Sequence, residues 1–419
     1  MRIGIAGAGI GGLAAAALLA RDGHEVALFD QFDKPRPVGS GLVIQPVGQH
    51  VLDVLGAGAA ARAKGALIHR MLGREVIRDK PVLDVTYDPL GRGHHGLAIH
   101  RASLFDALYA VVQEAQIDLH PASRVVATHL GPKGRLLEQE GKGRTEPFDL
   151  VIDASGATSA LSPLNGKALP YGAIWGTVPW PDSTDLPATQ LSQRYRYAER
   201  MIGVLPIGSL PGSDIPMAAI FWSMPQGDHA KWCATPLDDW KSDATALWPQ
   251  MAPFLETVKD HADMTMARYT HGTLRRSVAE RLGYLGDAAH RASPQLGQGA
   301  NMALLDAYAL AWSLRQCRDV GEALTMYVRS RRWHIGIYQA MSWAFTPQYQ
   351  SDSRALPWLR DNVLMPVSRI PPVPRILSAL VCGTLVPPVA GEPYRDGKPI
   401  GMDMPGEPLH RSTQNQTAA

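Results

Sequence analysis

RIGIAGAGIGGLAAAALLARDGHEVALFD, residues 2–30, decides the fold. Arg2 to Ala6 alternates into a short strand, and Ile10 to Arg21 is a run of good helix formers. His24 to Phe29 is a second strand, apolar at nearly every position, as in a parallel sheet covered on both faces. Strand, glycine turn, helix and strand in this order make a βαβ unit. The turn, Gly7-Ala8-Gly9-Ile10-Gly11-Gly12, has the spacing G-x-G-x-x-G. In that pattern Gly7 makes the tight turn, Gly9 lets the backbone approach a pyrophosphate, and Gly12 lets helix and strand pack closely. Phosphate oxygens then meet the free N–H groups and positive end of the helix. Asp30 closes the second strand, where a carboxylate accepts hydrogen bonds from a ribose hydroxyl pair. With all these parts in register, the segment predicts a dinucleotide site.

The same glycine spacing recurs at Gly91-Arg92-Gly93-His94-His95-Gly96, but a turn precedes it and no helix follows, so it reads as a loop. His94, His95 and His100 lack a carboxylate or cysteine at ligand spacing, and no metal is expected. Leu42 to Gly56 reads as strand into helix, Val82 to Tyr87 as a strand, and Ala102 to Ala115 as a helix capped by Ser103. Val125 to Leu130 and Leu150 to Ile152 read as strands. After Pro163 come short apolar runs broken by Pro, Gly and Ser: Ala173 to Val178, Met201 to Leu205 and Met217 to Trp222. They predict antiparallel strands in a second domain, with a helix over 238–250. Parallel-sheet texture returns at Leu282 to Leu285, followed by a helix from Asn301 to Arg315. The expected fold is α/β: a Rossmann-like nucleotide domain with a mostly parallel sheet, an α+β substrate domain with an antiparallel sheet, and C-terminal helices. The nucleotide domain is expected to be discontinuous, over 1–70, 99–165 and 275–340, with the substrate domain over 71–98 and 166–274. A helical segment over 341–392 and a flexible tail over 393–419 complete the division.

A chain of 419 residues favours two lobes, and 45% hydrophobic content excludes a disordered scaffold. Lys and Arg number 41 against 39 Asp and Glu, which removes the field needed for sequence-blind nucleic-acid binding. Cys233, Cys317 and Cys382 match no zinc or redox spacing and are expected to be buried in a reducing compartment. Apart from the glycine-interrupted opening, no apolar run is long enough to span a bilayer, so a cytoplasmic location without a membrane span is expected.

The second chemical signal is Gly286-Asp287-Ala288-Ala289-His290, then Ser293-Pro294, then Gly297-Gln298-Gly299-Ala300-Asn301. An acid follows a strand, and a glycine loop opens a helix, aiming N–H groups and a helix dipole at an electron-rich ligand atom. With the opening fingerprint, the Gly39 to Pro46 stretch, Ile99-His100-Arg101-Ala102-Ser103-Leu104 and Asp306-Ala307, the chain resembles the group A FAD-dependent aromatic hydroxylases, such as p-hydroxybenzoate and salicylate hydroxylase. The resemblance runs from Ile3 to about Arg332. It implies that Gly7, Gly9, Gly11, Gly12 and Asp30 hold the ADP part of FAD, and that Gly41 is a further cofactor-binding residue. It also implies Arg101 along the pyrophosphate and ribityl region and Asp287 at the ribityl or phosphate end. Pro294, Gly297, Gly299, Ala300 and Asn301 would face the isoalloxazine ring. The implied activity is a monooxygenase in which NADPH or NADH reduces the flavin transiently. O2 then forms a C4a-hydroperoxide that hydroxylates or epoxidises an aromatic or polycyclic small molecule. A monomer or homodimer is expected.

One motif departs from the family. Its usual alanine-aspartate-glycine, with a serine and then an arginine, is here Ala154-Ser155-Gly156-Ala157-Thr158-Ser159, with Ser162 in the arginine's place. That keeps open an FAD oxidase or dehydrogenase needing no nicotinamide. A non-catalytic flavoprotein is disfavoured by the shaped loop at 294–301, a halogenase by the lack of W-x-W-x-I-P, and a serine hydrolase by the lack of G-x-S-x-G. No catalytic constellation emerges. Arg194, Tyr195, Arg196 and Tyr197 alternate on a strand, so two arginines face one side and two tyrosines the other. They are candidates for substrate contact, with Pro294, Trp222, Trp175 and His271, whereas His290 reads as structural. Leu356 to Leu385, apolar with Arg360, Arg369 and Arg375, is expected to pack on the substrate domain; a membrane-surface helix or a channel cap are the other readings.

Overall fold

The computed structural model describes residues 1–33, 40–91, 93–392, 394–395 and 398–399. The expected flexible tail therefore lies largely outside the described residues, as do Gly39 and Arg92. β1 (Arg2–Ala6), α1 (Ile10–Arg21) and β2 (Glu25–Phe29) form the opening βαβ unit, with β1 and β2 in parallel register. β3 (Gly41–Ile44) runs into α2 (Pro46–Leu55). β4 (Arg70–Glu75) and β5 (Pro81–Thr86) form a hairpin. β6 (Gly96–His100) leads into α3 (Arg101–Glu114), then β7 (Asp118–His120) and β8 (Leu150–Asp153). The second lobe contributes β9 (Tyr171–Pro179), β10 (Gln190–Arg196), β11 (Arg200–Ser209), β12 (Pro216–Pro225) and β13 (Met264–Ala267). The chain returns through β14 (Leu282–Tyr284) to α4 (Gly299–Gln316) and α5 (Val320–Tyr349), and α6 (Val373–Cys382) follows near the end.

The first sheet has the order Val278–Ala279, β14, β8, β1, β2, β7, and its pairings are parallel except at the Val278–Ala279 edge. Its core strands are buried because helices cover one face and a Phe29, Leu137 and Phe148 cluster the other. The alanine run of α1 has a packing reason: small side chains bring α1 against α4.

The second sheet runs β13, β9, β12, β11, β10, β4, β5, antiparallel except where β10 meets β4. Its period-two alternation sorts side chains onto two faces. Ile174, Ile202, Ile220 and Trp222 point outward under short helices carrying Trp240 and Phe254. Leu205, Ile207 and Ala219 point inward onto β3 and α6. A Cβ on Gly41 would lie 2.2 Å from the Ile207 side chain, so that glycine lets the inner face sit down on β3.

Three expectations are corrected. α3 starts at Arg101 and is capped by His100 Nδ1, which accepts from the Ala102 N–H at 3.1 Å; Ser103 Oγ instead donates to the Ser209 carbonyl at 2.6 Å. Cys233 is exposed and only Cys382 is fully buried. Tyr197 lies beyond the end of β10, in a turn at φ +53°, so it does not share a strand face with Tyr195. Arg360, in the segment expected to pack on the substrate domain, is buried over the rings of Tyr195 and Tyr349. The 30-residue α5 had no sequence forecast. Its buried stripe includes Arg331, His334, Ser330 and Ser342, and these polar positions dilute the apolar period.

Candidate functional site: a cleft at the carboxyl edge of the parallel sheet

β1, β2, β8 and β14 all end at one edge of the first sheet, the edge where doubly wound folds bind ligands. Gly7 has φ +100°, and a Cβ there would lie 2.6 Å from the Ala154 carbonyl oxygen. A Cβ on Gly12 would lie 1.8 Å from the Gly7 oxygen, so both glycines are demanded by the fold itself. Gly9 is different: its Cβ would meet no protein atom within 4 Å. The space before it is open, and α1 begins there with no side-chain cap and no acid in its first turn. Asp30 Oδ2 accepts from the Ala8 N–H at 2.8 Å and Oδ1 from the Phe32 N–H at 3.0 Å, bracing the turn. Gly7, Gly9, Asp30, Arg101, Ser155 and Ser159 line a cleft of about 260 Å³.

Arg101 enters this cleft from the first residue of α3, its own N–H donating to the Ser40 carbonyl at 3.2 Å. The guanidinium is reached by water yet walled by protein. Burial lowers its pKa, while Asp287 and Tyr269 pull it back up. Asp287 stands exposed in the turn after β14. Among the described residues neither side chain is spent on a hydrogen bond or ion pair, leaving two facing charges available to a ligand.

Beyond them, Pro294–Leu296 is a single turn closed by Gly297 at φ +61°, and α4 starts at Gly299 without a side-chain cap. Pro294 and Gly299 are exposed and Ala300 half-buried. Asn301 is fully buried and wholly committed to protein: Oδ1 accepts from the Gln45 N–H at 2.8 Å, and Nδ2 donates to the Val43 and Gly297 carbonyls. Its side chain shapes the loop. The same helix joins the two glycine loops, because Ala303 lies 3.3 Å from a Cβ on Gly11 and 3.0 Å from one on Gly286. Around the loop Gln45 Nε2, Gln295 Nε2 and Gln298 Oε1 are buried without partners. Orphaned amide groups of this kind fit a ligand ring rich in nitrogen and carbonyl groups. Sequence reasoning missed these glutamines, though Gln45 lay within a quoted stretch.

Asp306, fully buried below the loop, accepts from the Gly286 N–H at 2.9 Å, His290 Nε2 at 2.6 Å and Arg331 Nε at 2.8 Å. Burial alone would raise its pKa, but His290 and Arg331 hold it down to about 2. His334 is held near 3 by burial and by Arg331.

At the divergent motif a buried acid stands close by. Asp153, two residues before Ser155, is fully buried and accepts from the Ser155 N–H at 3.0 Å and from the hydroxyls of Ser155 and Ser159. Burial raises its pKa against these bonds. Ser162 Oγ donates to the Ala288 carbonyl, tying this segment to the Gly286 turn. These side chains serve one another.

The substrate candidates separate by what surrounds them. Tyr195 is 1% exposed, packed on Tyr349 with Arg360 over its ring. Arg194 pairs with Asp79 and Arg196 with Glu199, and Tyr197 carries Arg354 over its ring. Trp222 points to the outer face against Trp240, with Arg200 above it. None of the five lines the cleft. Trp175 does lie on the inner face, its ring tilted against Phe221 at 4.5 Å between centroids, and its indole N–H donates to Tyr269 Oη at 2.9 Å. Tyr269, whose pKa is pushed up to about 12 by burial, is the group that also acts on Arg101. His271 sits nearby in sequence with Nε2 buried and unpaired. His94 and His95 bond only to loop carbonyls, and no metal-binding cluster occurs among the described residues.

This cleft, with its uncapped helix, open Gly9 and facing charges, defines a dinucleotide-binding oxidoreductase fold. A family model described as "FAD binding domain" matches residues 1–335, and the chain belongs to that family, as an FAD-dependent oxidoreductase of the group A aromatic hydroxylases. It is 26% identical to an FAD-dependent urate hydroxylase of Klebsiella pneumoniae over 355 residues, covering 79% of this chain and 86% of that protein. It is 27% identical to the aurachin C monooxygenase/isomerase of Stigmatella aurantiaca, covering 87% and 94%. Among solved structures, Klebsiella pneumoniae HpxO complexed with FAD and uric acid superposes with TM-score 0.75 at 20% identity, over 91% of this chain and 97% of that one. Among the described residues, no helix is long and apolar enough to cross a membrane.

Proposed function

We propose that this protein is a monooxygenase that consumes NAD(P)H and O2 to hydroxylate or epoxidise an aromatic or polycyclic small molecule. The observation that carries this reading is the pair of unspent charges, Arg101 and Asp287, set between two uncapped helix starts and three orphaned glutamine amides. Gly9 and the α1 N-terminus would receive the pyrophosphate, with Asp30 free to share its outer lone pairs with a ribose. Arg101 would neutralise phosphate charge, and Asp287 would accept from ribityl hydroxyls. The turn at 294–301 would present N–H dipoles to the ring, with Gln45 Nε2 as a donor beside it. FAD, when bound, supplies the redox step between nicotinamide and O2.

The chain's own work is then to hold the aromatic substrate and keep water out. Trp175, backed by the buried Phe221, offers an apolar face, and Tyr269 offers a hydroxyl within the field of Arg101. Relatives named for urate and 3-hydroxybenzoate support an oxygen-bearing ring as the substrate class. The domain division drawn from the sequence fits this work, with the parallel-sheet lobe for FAD and the antiparallel lobe for the ring. The test is anaerobic stopped-flow of the FAD-loaded protein with NADH and NADPH, with and without a panel of phenols and fused heteroaromatics. Flavin bleaching by a nicotinamide, accelerated by an aromatic, is expected. Bleaching by substrate alone would replace this reading with an oxidase or dehydrogenase.

A further inference from the structure

The helical strap after α5 leaves a broad apolar face uncovered. Residues 355–367 form one irregular helix on which Pro357, Arg360 and Met365 are buried. On its other side Trp358 is 63% exposed, and Val363, Val367, Ile370 and Ile376 follow on or beyond it. Trp343, on the solvent side of α5, is 72% exposed. Single exposed apolar groups are ordinary, but this many large ones on neighbouring helices mark an interaction surface.

Its charge is one-sided. Residues 329–384 contain seven arginines, two aspartates, and no lysine or glutamate. Both aspartates are occupied: Asp352 accepts from Tyr171 Oη, and Asp361 from Arg360 Nε at 2.6 Å. Arg332, Arg369 and Arg375 are exposed and make no ion pair among the described residues.

We propose that this strap docks on an anionic phospholipid surface, its tryptophans and branched side chains entering the headgroup–acyl boundary and its arginines meeting lipid phosphates. The pattern, aromatic and aliphatic groups interleaved with arginine and lacking free carboxylates, is that of an interfacial helix. A second copy is the poorer occupant. A two-fold contact sets the same patch against itself, and here it would oppose arginines with no carboxylate to neutralise them. The contact is peripheral, and it reaches inward by one helix. Ile376 and Arg375 lie on the open side of α6, while Val381 and Cys382 pack under the second sheet and the Val381 carbonyl accepts from Gln298 Nε2 at 2.8 Å. The surface thus backs directly onto the loop at 294–301. The proposal is independent of the reaction proposed above.

The test is co-sedimentation of the FAD-loaded full chain with vesicles of phosphatidylcholine alone or mixed with phosphatidylglycerol, at low and high salt. Binding to the anionic vesicles, weakened by salt, is expected. Arg369→Gln with Arg375→Gln should lower the partition coefficient about 30-fold, at about 1 kcal/mol per arginine. Trp358→Ser with Ile370→Ser should abolish binding, with the FAD content of both variants unchanged because all four side chains are exposed. Equal affinity for neutral vesicles, or binding unchanged in both variants, overturns the proposal. So does absence of vesicle binding with a dimer by light scattering that Trp358→Ser dissociates, which would assign the face to a second copy.

Discussion

Replacing Gly9 by alanine adds one methyl group, and the structure specifies what that methyl meets. No protein atom lies within 4 Å of it, and Gly9 is extended at φ −78°, so the cofactor-free chain should accept the change. The methyl projects into the space before the uncapped end of α1, where a pyrophosphate would approach. Pushing the phosphate outward stretches one or two charge-assisted bonds from helix N–H groups, each contributing about 1.5–3 kcal/mol. The expected loss of about 2–4 kcal/mol weakens FAD binding about 30- to 800-fold. Gly12→Ala is the control, because its methyl would sit 1.8 Å from the Gly7 oxygen. That variant should lose stability before cofactor is added. Flavin fluorescence titration reads the affinity, and circular dichroism melts of the cofactor-free proteins read the fold. FAD affinity of Gly9→Ala within three-fold of wild type, or a melt depressed as far as that of Gly12→Ala, would refute the assignment of this space to a ligand.

Arg101→Gln should weaken FAD about ten-fold or more while leaving the cofactor-free melt unchanged, since the exposed guanidinium makes no hydrogen bond or ion pair among the described residues; a large loss of apo stability would contradict this. Asp306→Asn should cost about 3–5 kcal/mol in urea unfolding, because it strands the buried Arg331. Stability should also fall with acid. Asp306, at about 2 against 3.8, and His334, at about 3 against 6.5, both bind protons more readily when unfolded. The His334 contribution is full above pH 6.5 and disappears as pH falls towards about 3, and that of Asp306 disappears from about 4 to about 2. His334→Gln should flatten the melting-temperature profile in the first window, and an unaltered slope would count against it. Trp222→Ala should cost about 3–5 kcal/mol yet leave aromatic-ligand affinity of the FAD-loaded protein unchanged, whereas Trp175→Ala should weaken that affinity more than ten-fold.

The nucleotide half of the site was legible because its chemistry is local. Gly7, Gly9, Gly12 and Asp30 are brought together by one βαβ unit, and each residue's task follows from backbone geometry. The loop from Gly286 to Asn301 was legible for the same reason. The substrate side was not. Trp222 differs from Trp175 in which face of a pleated sheet it occupies, and Tyr195, on Trp175's own face, differs in being covered by Tyr349; both depend on pairings between distant parts of the chain. Alternation correctly separated Arg194 from Tyr195, but no local signal said that the tyrosine side is filled by Tyr349 and Arg360 from the far end of the chain. The glutamine amides were hidden because glutamine is ordinary at a loop surface and informative only when buried without a partner. Asp153 is visible in the sequence, but that it is buried and binds the Ser155 and Ser159 hydroxyls depends on the turn that follows β8.

The parallel sheet is built from pieces that emerge far apart in synthesis. β8 leaves one edge open at residue 153, and the strand that covers it, β14, begins at residue 282. Until then the growing chain carries an unfinished nucleotide lobe with an exposed edge, and β9 to β13 of the second sheet are translated in the interval. α4, whose Ala303 seats both glycine loops, arrives later still. The cleft's own lining, residues 6–160, is thus synthesised well before the helix that seats its glycine turn, and loading of FAD into a finished site waits for α4.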